Sequence, residues 1–200
     1  MKDEALKTRK PGTWTFFRQW LKNPLRTAAV APSSPELAAA MIAELPDDAR
    51  RVIELGGGTG AITRALLAAG IADRDLLVLE LNEELHAHLH LRFPQVQVLL
   101  GDARSLPELA HANGYLDQGP ADAIVSGLGL LTMPPQLQRS LLAAAFECLR
   151  ADGTFVQFTY GPAAPVADAV MRELGLQVRR GEFVLRNVPP ATVYVYTRKA

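Results

Sequence analysis

From residue 51 onward, short apolar runs alternate with stretches of helical periodicity, and no other feature of this sequence narrows the fold so far. The apolar runs at 51–55, 76–81, 96–100, 122–126 and 153–159 are separated by helical patterns at 60–69, 83–91, 104–112 and 135–149, with a further helix at 165–174. Parallel neighbours need a long crossover, usually a helix, so this order predicts an α/β domain with a mainly parallel sheet covered by helices on both faces. The last two runs, 177–185 and 191–198, are joined only by Arg186 to Pro190, too short for a crossover. They predict an antiparallel hairpin at the sheet end.

A chain of 200 residues has room for one such domain plus attachments, and its 48% hydrophobic and 21% charged content excludes disorder and fibrous repeats. The single cysteine, Cys148, excludes a disulfide framework and a cysteine-rich zinc site. Met1 to Lys7 holds no apolar signal core and no later stretch is long and apolar enough to span a bilayer, so a cytosolic protein is expected. The formal charge of zero conceals a polarity: residues 1–35 carry seven Lys or Arg against Asp3 and Glu4, a net +5, and the rest carries −5. The basic end should seek an anionic partner.

Residues 1–12 are charged and expected to wander in solvent. Thr13 can cap a helix that Asn23-Pro24 stops. At 100° per residue, Trp14, Phe16, Phe17, Trp20 and Leu21 fall on one arc, opposite Thr15, Arg18, Gln19, Lys22 and Asn23. Tryptophan beside lysine and arginine is the composition of a helix lying in a membrane interface, which nominates Trp14, Phe17, Arg18, Trp20, Leu21 and Lys22 as membrane-binding. Each basic residue near an anionic surface contributes about 1 kcal/mol. The same helix could instead pack its rings on the domain as a lid. A second helix is expected from Ser33-Ser34-Pro35-Glu36, with Ser33 capping and Glu36 three positions later. The expected division is a helical extension at 1–45 and a ligand-binding domain at 46–200.

Val52-Ile53-Glu54-Leu55-Gly56-Gly57-Gly58-Thr59-Gly60 reads as a strand, a glycine-rich turn and a helix start. Glycines there let a ligand lie against bare backbone, but the loop alone also satisfies a loose dinucleotide pattern. Charge breaks the tie. A carboxylate at Glu54 facing the pocket repels a pyrophosphate and attracts a cation, which favours S-adenosylmethionine, with its ammonium and sulfonium, over NAD. Glu80 ends the second strand, where it can accept ribose hydroxyls, and Asp102 follows the third, within reach of the adenine amine. Three carboxylates at successive strand ends point to one crevice.

This order resembles the class I S-adenosylmethionine-dependent methyltransferases over roughly residues 50–200. The resemblance implies a Rossmann-like seven-stranded sheet with its last strand antiparallel. It also implies cofactor contacts from Glu54, Gly56, Gly58, Thr59, Gly60, Glu80, Leu81, Asp102, Ala103, Ser126 and Gly127.

A closer resemblance covers most of the chain. Asn23-Pro24 through Pro32-Ser33-Ser34, the loop from Glu54 to Gly60, Ser126-Gly127-Leu128, Gln157-Phe158-Thr159-Tyr160-Gly161 and Arg186-Asn187-Val188-Pro189-Pro190 are similar to segments of the bacterial phospholipid N-methyltransferases, the soluble type related to ribosomal RNA adenine dimethyltransferases. That family implies methylation of the amine of phosphatidylethanolamine, in up to three rounds, to phosphatidylcholine. It also implies a phospholipid substrate, an anionic membrane surface as partner and a peripheral place on the cytoplasmic face. Two positions depart from it: Gly57 and Gly129 stand where proline is expected.

Residues on the acceptor side agree with a lipid. Enzymes that methylate base amines stack an aromatic ring on the base, whereas Ser126-Gly127-Leu128-Gly129-Leu130-Leu131 offers no ring. Tyr160, at the end of the fifth strand, is expected to orient the amine as the catalytic and substrate-binding residue; its reference pKa near 10 makes it a poor base at neutral pH. Arg186 can hold a phosphate bidentately, with Asn187 assisting. An ammonium with pKa about 10.4 is neutral in only about one part in a thousand at pH 7, a deficit of roughly 4–5 kcal/mol. His86 and His90 share a helix face but His88 points elsewhere, so no metal site is expected, and Cys148 reads as core. Three rivals remain at this stage: an RNA or DNA adenine methyltransferase, a non-catalytic S-adenosylmethionine-binding module and an NAD-dependent oxidoreductase.

Overall fold

The inner strand segments are largely apolar at consecutive positions, which only a sheet covered on both faces can bury. In a computed structural model describing residues 33–199, the strands are β1 (Val52–Leu55), β2 (Leu76–Glu80), β3 (Gln97–Leu100), β4 (Ala121–Ser126), β5 (Leu149–Thr159), β6 (Leu176–Val184) and β7 (Ala191–Arg198). They form one seven-stranded sheet in the order β3-β2-β1-β4-β5-β7-β6. The first five strands are mutually parallel, and β7 runs antiparallel between β5 and β6. The hairpin is thus present, with β6 as the sheet edge. The expected helix at 13–23, with its six membrane-binding candidates, lies outside the described residues.

Alternation along each strand sorts the core into two layers. Ile53, Leu77, Ile124 and Phe155 face α4 (Leu106–Ala112), α5 (Pro135–Cys148) and α6 (Asp168–Glu173). Val52, Val78, Val125 and Val156 face α1 (Pro35–Ile42), α2 (Ala61–Ala68) and α3 (Glu83–Arg92). Burying one such Val or Leu contributes about 1.5–3 kcal/mol, so both layers are needed to hold the central strands.

Helix α1 corrects two expectations. Its cap is Ser34, whose hydroxyl accepts from Leu37 N at 3.1 Å, so Ser33 and Glu36 make no capping box. Leu37 and Met41 are fully buried against the sheet, and the compact unit begins at Pro32; the boundary expected after residue 45 would cut through this core. Two ends also differ. Strand β5 starts at Leu149, not 153, because Arg150 is pinned by Asp48 at 2.7 Å and Asp122 at 3.0 Å, which holds the polar stretch 150–153 extended. Helix α6 is shorter than 165–174 because buried Gln138 bonds Pro165 O and Ala167 N at 3.0 and 2.9 Å, fixing the chain before it.

Candidate active site

Because five parallel strands end at one edge, the loops after β1, β2, β3, β4 and β5 gather there. The chain leaves β1 outward to β2 and β3 and returns to β4 on the other side of β1, so the crevice opens between β1 and β4. Across it the loops touch: Gly127 N donates to Leu55 O at 2.8 Å, and a Cβ at Gly127 would lie 3.0 Å from Gly56 O. Ser126 is fully buried, and its hydroxyl accepts from Leu128 N at 3.3 Å.

Gly56, Gly58 and Gly60 have φ of 76°, 55° and 79°, a region that strains any residue with a Cβ. Gly60 also begins α2, and a Cβ there would stand 2.5 Å from the Phe93 ring. Gly57 serves packing alone: its Cβ would meet Val78 Cγ1 at 2.5 Å and Leu89 Cδ1 at 2.8 Å. Proline there would collide, which accounts for this departure from the resemblance. Gly129, at φ −77° and ψ 59°, is a tight turn closed by Leu130 N to Leu128 O at 2.9 Å, a backbone that proline can also adopt. Thr59 is half-buried, and its carbonyl accepts from Arg92 at 3.1 Å.

Glu54 is fully buried beneath this loop. Its Oε2 accepts from the Thr63 hydroxyl at 2.6 Å, and Oε1 has no partner among the described residues. Burial pushes its pKa up to about 8; Thr63 opposes the rise and the nearby Glu80 charge adds to it. At neutral pH the group is therefore mostly protonated, which corrects the picture of a fixed anion repelling a pyrophosphate. A buried acid of this kind turns anionic when a cation arrives beside it.

Glu80, almost fully buried, accepts from Gly58 N through Oε2 and from Asn82 N through Oε1, both at 2.9 Å. A carboxylate has about four acceptor positions, so two stay free for hydroxyls. Leu81 beside it is 67% exposed, an apolar surface at the crevice with nothing covering it among the described residues. Asp102 caps the turn Ala103–Ser105 through Arg104 N at 2.9 Å and pairs with the Arg104 guanidinium at 2.6 Å; that pairing holds its pKa below the usual carboxylate range. The acid expected near the adenine amine is thus bound by a neighbouring arginine, and Ala103 is half-buried at its side.

On the acceptor side, Tyr160 is 36% exposed and stacks edge-on against Phe158 at 5.3 Å. Burial raises its pKa, and the nearby Asn187 side chain opposes the rise. Asn187 is buried, its Oδ1 accepting from Ser34 N at 3.0 Å and its Nδ2 donating to Pro189 O at 2.7 Å. Its carboxamide holds the hairpin tip against the start of α1. Arg186 is exposed.

Sequence reasoning missed Thr63, the partner of Glu54, although a threonine three residues into a helix behind the glycine loop was a visible signal. It also missed the work of Gln157, which is fully buried in β5 and ties the loop after β4 to that strand by donating to Leu128 O at 2.9 Å and Phe158 O at 2.7 Å. His86 and His90 stack at 6.1 Å on α3, and Cys148 is buried with its pKa pushed up to about 12.

A family profile described as "Methyltransferase domain" matches residues 52–153, from β1 into β5. An ornithine lipid N-methyltransferase of Singulisphaera acidiphila is 34% identical over 183 residues, covering 90% of this chain and 92% of that one. The chain belongs to the class I S-adenosylmethionine-dependent methyltransferases. Among solved structures, a TehB-like S-adenosylmethionine-dependent methyltransferase of Corynebacterium glutamicum shares the fold with TM-score 0.58 at 22% identity, covering 93% of this chain and 97% of that one. The glycopeptide N-methyltransferase MtfA, solved with S-adenosylmethionine, gives TM-score 0.62 at 15% identity over 82% of this chain and 94% of its own. The residues of this methyltransferase fit its cofactor: an unpartnered buried carboxyl oxygen suits a cation, spare acceptors on Glu80 suit ribose hydroxyls, and exposed Leu81 suits a flat apolar base.

Proposed function

We propose that this methyltransferase transfers methyl groups from S-adenosylmethionine to the primary amine of a membrane amino lipid. The observation that carries the reading is the end-to-end likeness to an ornithine lipid N-methyltransferase, which favours an ornithine headgroup. Phosphatidylethanolamine offers the same primary amine on a phosphate and is the second acceptor, supported by the segments around Tyr160 and Arg186 that resemble phospholipid N-methyltransferases. Exposed Arg186 suits either headgroup, since a guanidinium pairs bidentately with a carboxylate or a phosphate.

When bound, S-adenosylmethionine supplies a methyl group on a sulfonium. The lipid ammonium first loses a proton to solvent; its nitrogen lone pair then forms the N–C bond as the C–S bond breaks, the bonding pair staying on sulfur. Tyr160 orients the amine, and its raised pKa keeps the hydroxyl protonated, so it positions the amine without removing the proton. Glu54 and Glu80 hold the cofactor's charged and hydroxylated ends. No helix among the described residues is long and apolar enough to cross a membrane. In this reading the enzyme works at the cytoplasmic membrane surface, with the segment at 13–23 as its expected anchor.

The test is transfer of labelled methyl from S-adenosylmethionine to vesicles carrying ornithine lipid or phosphatidylethanolamine, with ribosomal RNA as a parallel acceptor. Label in either lipid supports the proposal and ranks the headgroups; label only in RNA, or in none of the three, refutes it.

A further inference from the structure

We propose that the tip of the β6–β7 hairpin, with the loop ends beside it, is a docking rim that inserts into the interface of an anionic phospholipid bilayer. The proposal rests on the lipid-acceptor reading above and adds a surface that the reading does not require.

The sheet register places the rim. Thr159, the last residue of β5, pairs with Thr192 of β7, which pairs with Phe183 of β6, so Tyr160, Phe183 and the tip at 185–190 come to one edge of three neighbouring strands. Leu131, after β4, reaches the same edge: its Cδ2 lies 3.0 Å from where a Cβ on Gly161 would stand. At about 4.8 Å between strands, these four strand ends span roughly 15 Å. Leu131, Tyr160, Phe183, Leu185 and Val188 make up more than half of the exposed large apolar side chains among the described residues, with Leu185 at 71% and Val188 at 73% exposure.

The tip is built to keep them outside. Asn187 turns inward, bonded to Ser34 N and Pro189 O, and thereby directs its neighbours away from the core. Between Leu185 and Pro190 the only charge is Arg186, with no acid to neutralise it. A cation set among apolar side chains is the pattern of a surface that meets lipid phosphates while its apolar groups enter the acyl boundary. Residues 1–32 carry seven basic residues against two acidic ones, which adds to the attraction of the chain for an anionic surface.

The experiment uses the full chain and its single, buried Cys148, whose high pKa spares it from maleimide labelling. A Val188→Cys variant carries a polarity-sensitive fluorophore and is mixed with phosphatidylglycerol–phosphatidylcholine vesicles. Emission is expected to shift to the blue as the protein floats with the vesicles. The same label at Leu91→Cys, 83% exposed on α3 at the other flank of the sheet, should not shift. The double variant Leu185→Glu/Val188→Glu should partition at least about a hundredfold more weakly, the order expected for losing two inserted apolar side chains. A water-like label at 188 on floating protein, absence of flotation, or unchanged partition of the double variant overturns the rim. So does a shift that grows with protein concentration without vesicles, the sign of a second copy on this face. Methyl transfer by the parent chain to detergent-dispersed amino lipid is read separately; its failure sinks the acceptor reading and leaves the docking result to stand or fall alone.

Discussion

Replacing Glu54 by Gln removes a proton that this fold holds and the unfolded chain does not. The native carboxyl titrates at about 8 against an ordinary value of 4.5, so between those values the native state binds more protons and stability falls as pH rises. The sign follows directly: the neutral carboxyl costs nothing below the unfolded value, the penalty accumulates through the window, and it levels off above the folded one. At pH 7 it amounts to about 3 kcal/mol, from 1.36 kcal/mol for each unit by which the unfolded value lies below that pH. Urea unfolding of the cofactor-free protein at pH 5.5 and 7.5 should therefore show the parent losing stability by up to about 1.4 kcal/mol per unit relative to Glu54→Gln. Binding supplies the second readout. If the cofactor's ammonium draws the proton off Glu54, about nine-tenths of a proton leaves per cofactor bound at pH 7. Calorimetry in buffers of different ionisation enthalpy counts it. Parallel stability profiles, or equal proton release by parent and variant, refute the reasoning.

Gly60→Ala combines a left-handed backbone with a Cβ 2.5 Å from Phe93 and should lose about 2–4 kcal/mol in thermal unfolding, whereas Gly70→Ala, at φ 98° with open space around it, should lose only about 1–2. Gly129→Pro should match or exceed the parent's stability by up to about 1 kcal/mol, and Gly57→Pro should lose about 1–3 against Val78 and Leu89; denaturant midpoints separate the two. Tyr160→Phe should lower turnover on amino lipid while leaving cofactor affinity, read by calorimetry, within about twofold.

The fold was legible because its signal is repetitive. Most strands from Val52 to Arg198 announced themselves by apolar residues, β6 with its Arg179, Arg180 and Glu182 least clearly, and Glu54, Glu80 and Asp102 stood where the chain turns over the crevice. What escaped was set by partners distant in sequence. Nothing in Ser33-Ser34 says which serine caps α1; the choice falls to Ser34, whose N–H reaches Asn187, 153 residues away. The length of β5 depends on Arg150 meeting Asp48 and Asp122, and the commitment of Asp102 depends on an arginine only two residues on, close enough to be read but equally able to face solvent. The protonation of Glu54 was least legible, since charge at a strand end is inferred from residue type while its ionisation is decided by burial and by Glu80.

That protonation also divides the labour of the site. S-adenosylhomocysteine, the product, keeps the ammonium of S-adenosylmethionine and loses only the sulfonium charge. In the proposed site a contact from Glu54 to that ammonium would persist before, during and after transfer, so it would strengthen binding uniformly and leave the chemical step untouched. Glu54→Gln should therefore raise KM for the cofactor, weaken binding of the product by a similar factor and leave kcat near the parent's. In the proposed site Tyr160 would meet the amine, whose nitrogen gains its new bond only in the transition state, so its loss should fall on kcat. A Glu54→Gln variant with normal KM and depressed kcat would place the buried acid at the reacting atoms instead, and the separation of holding from positioning across this crevice would have to be redrawn.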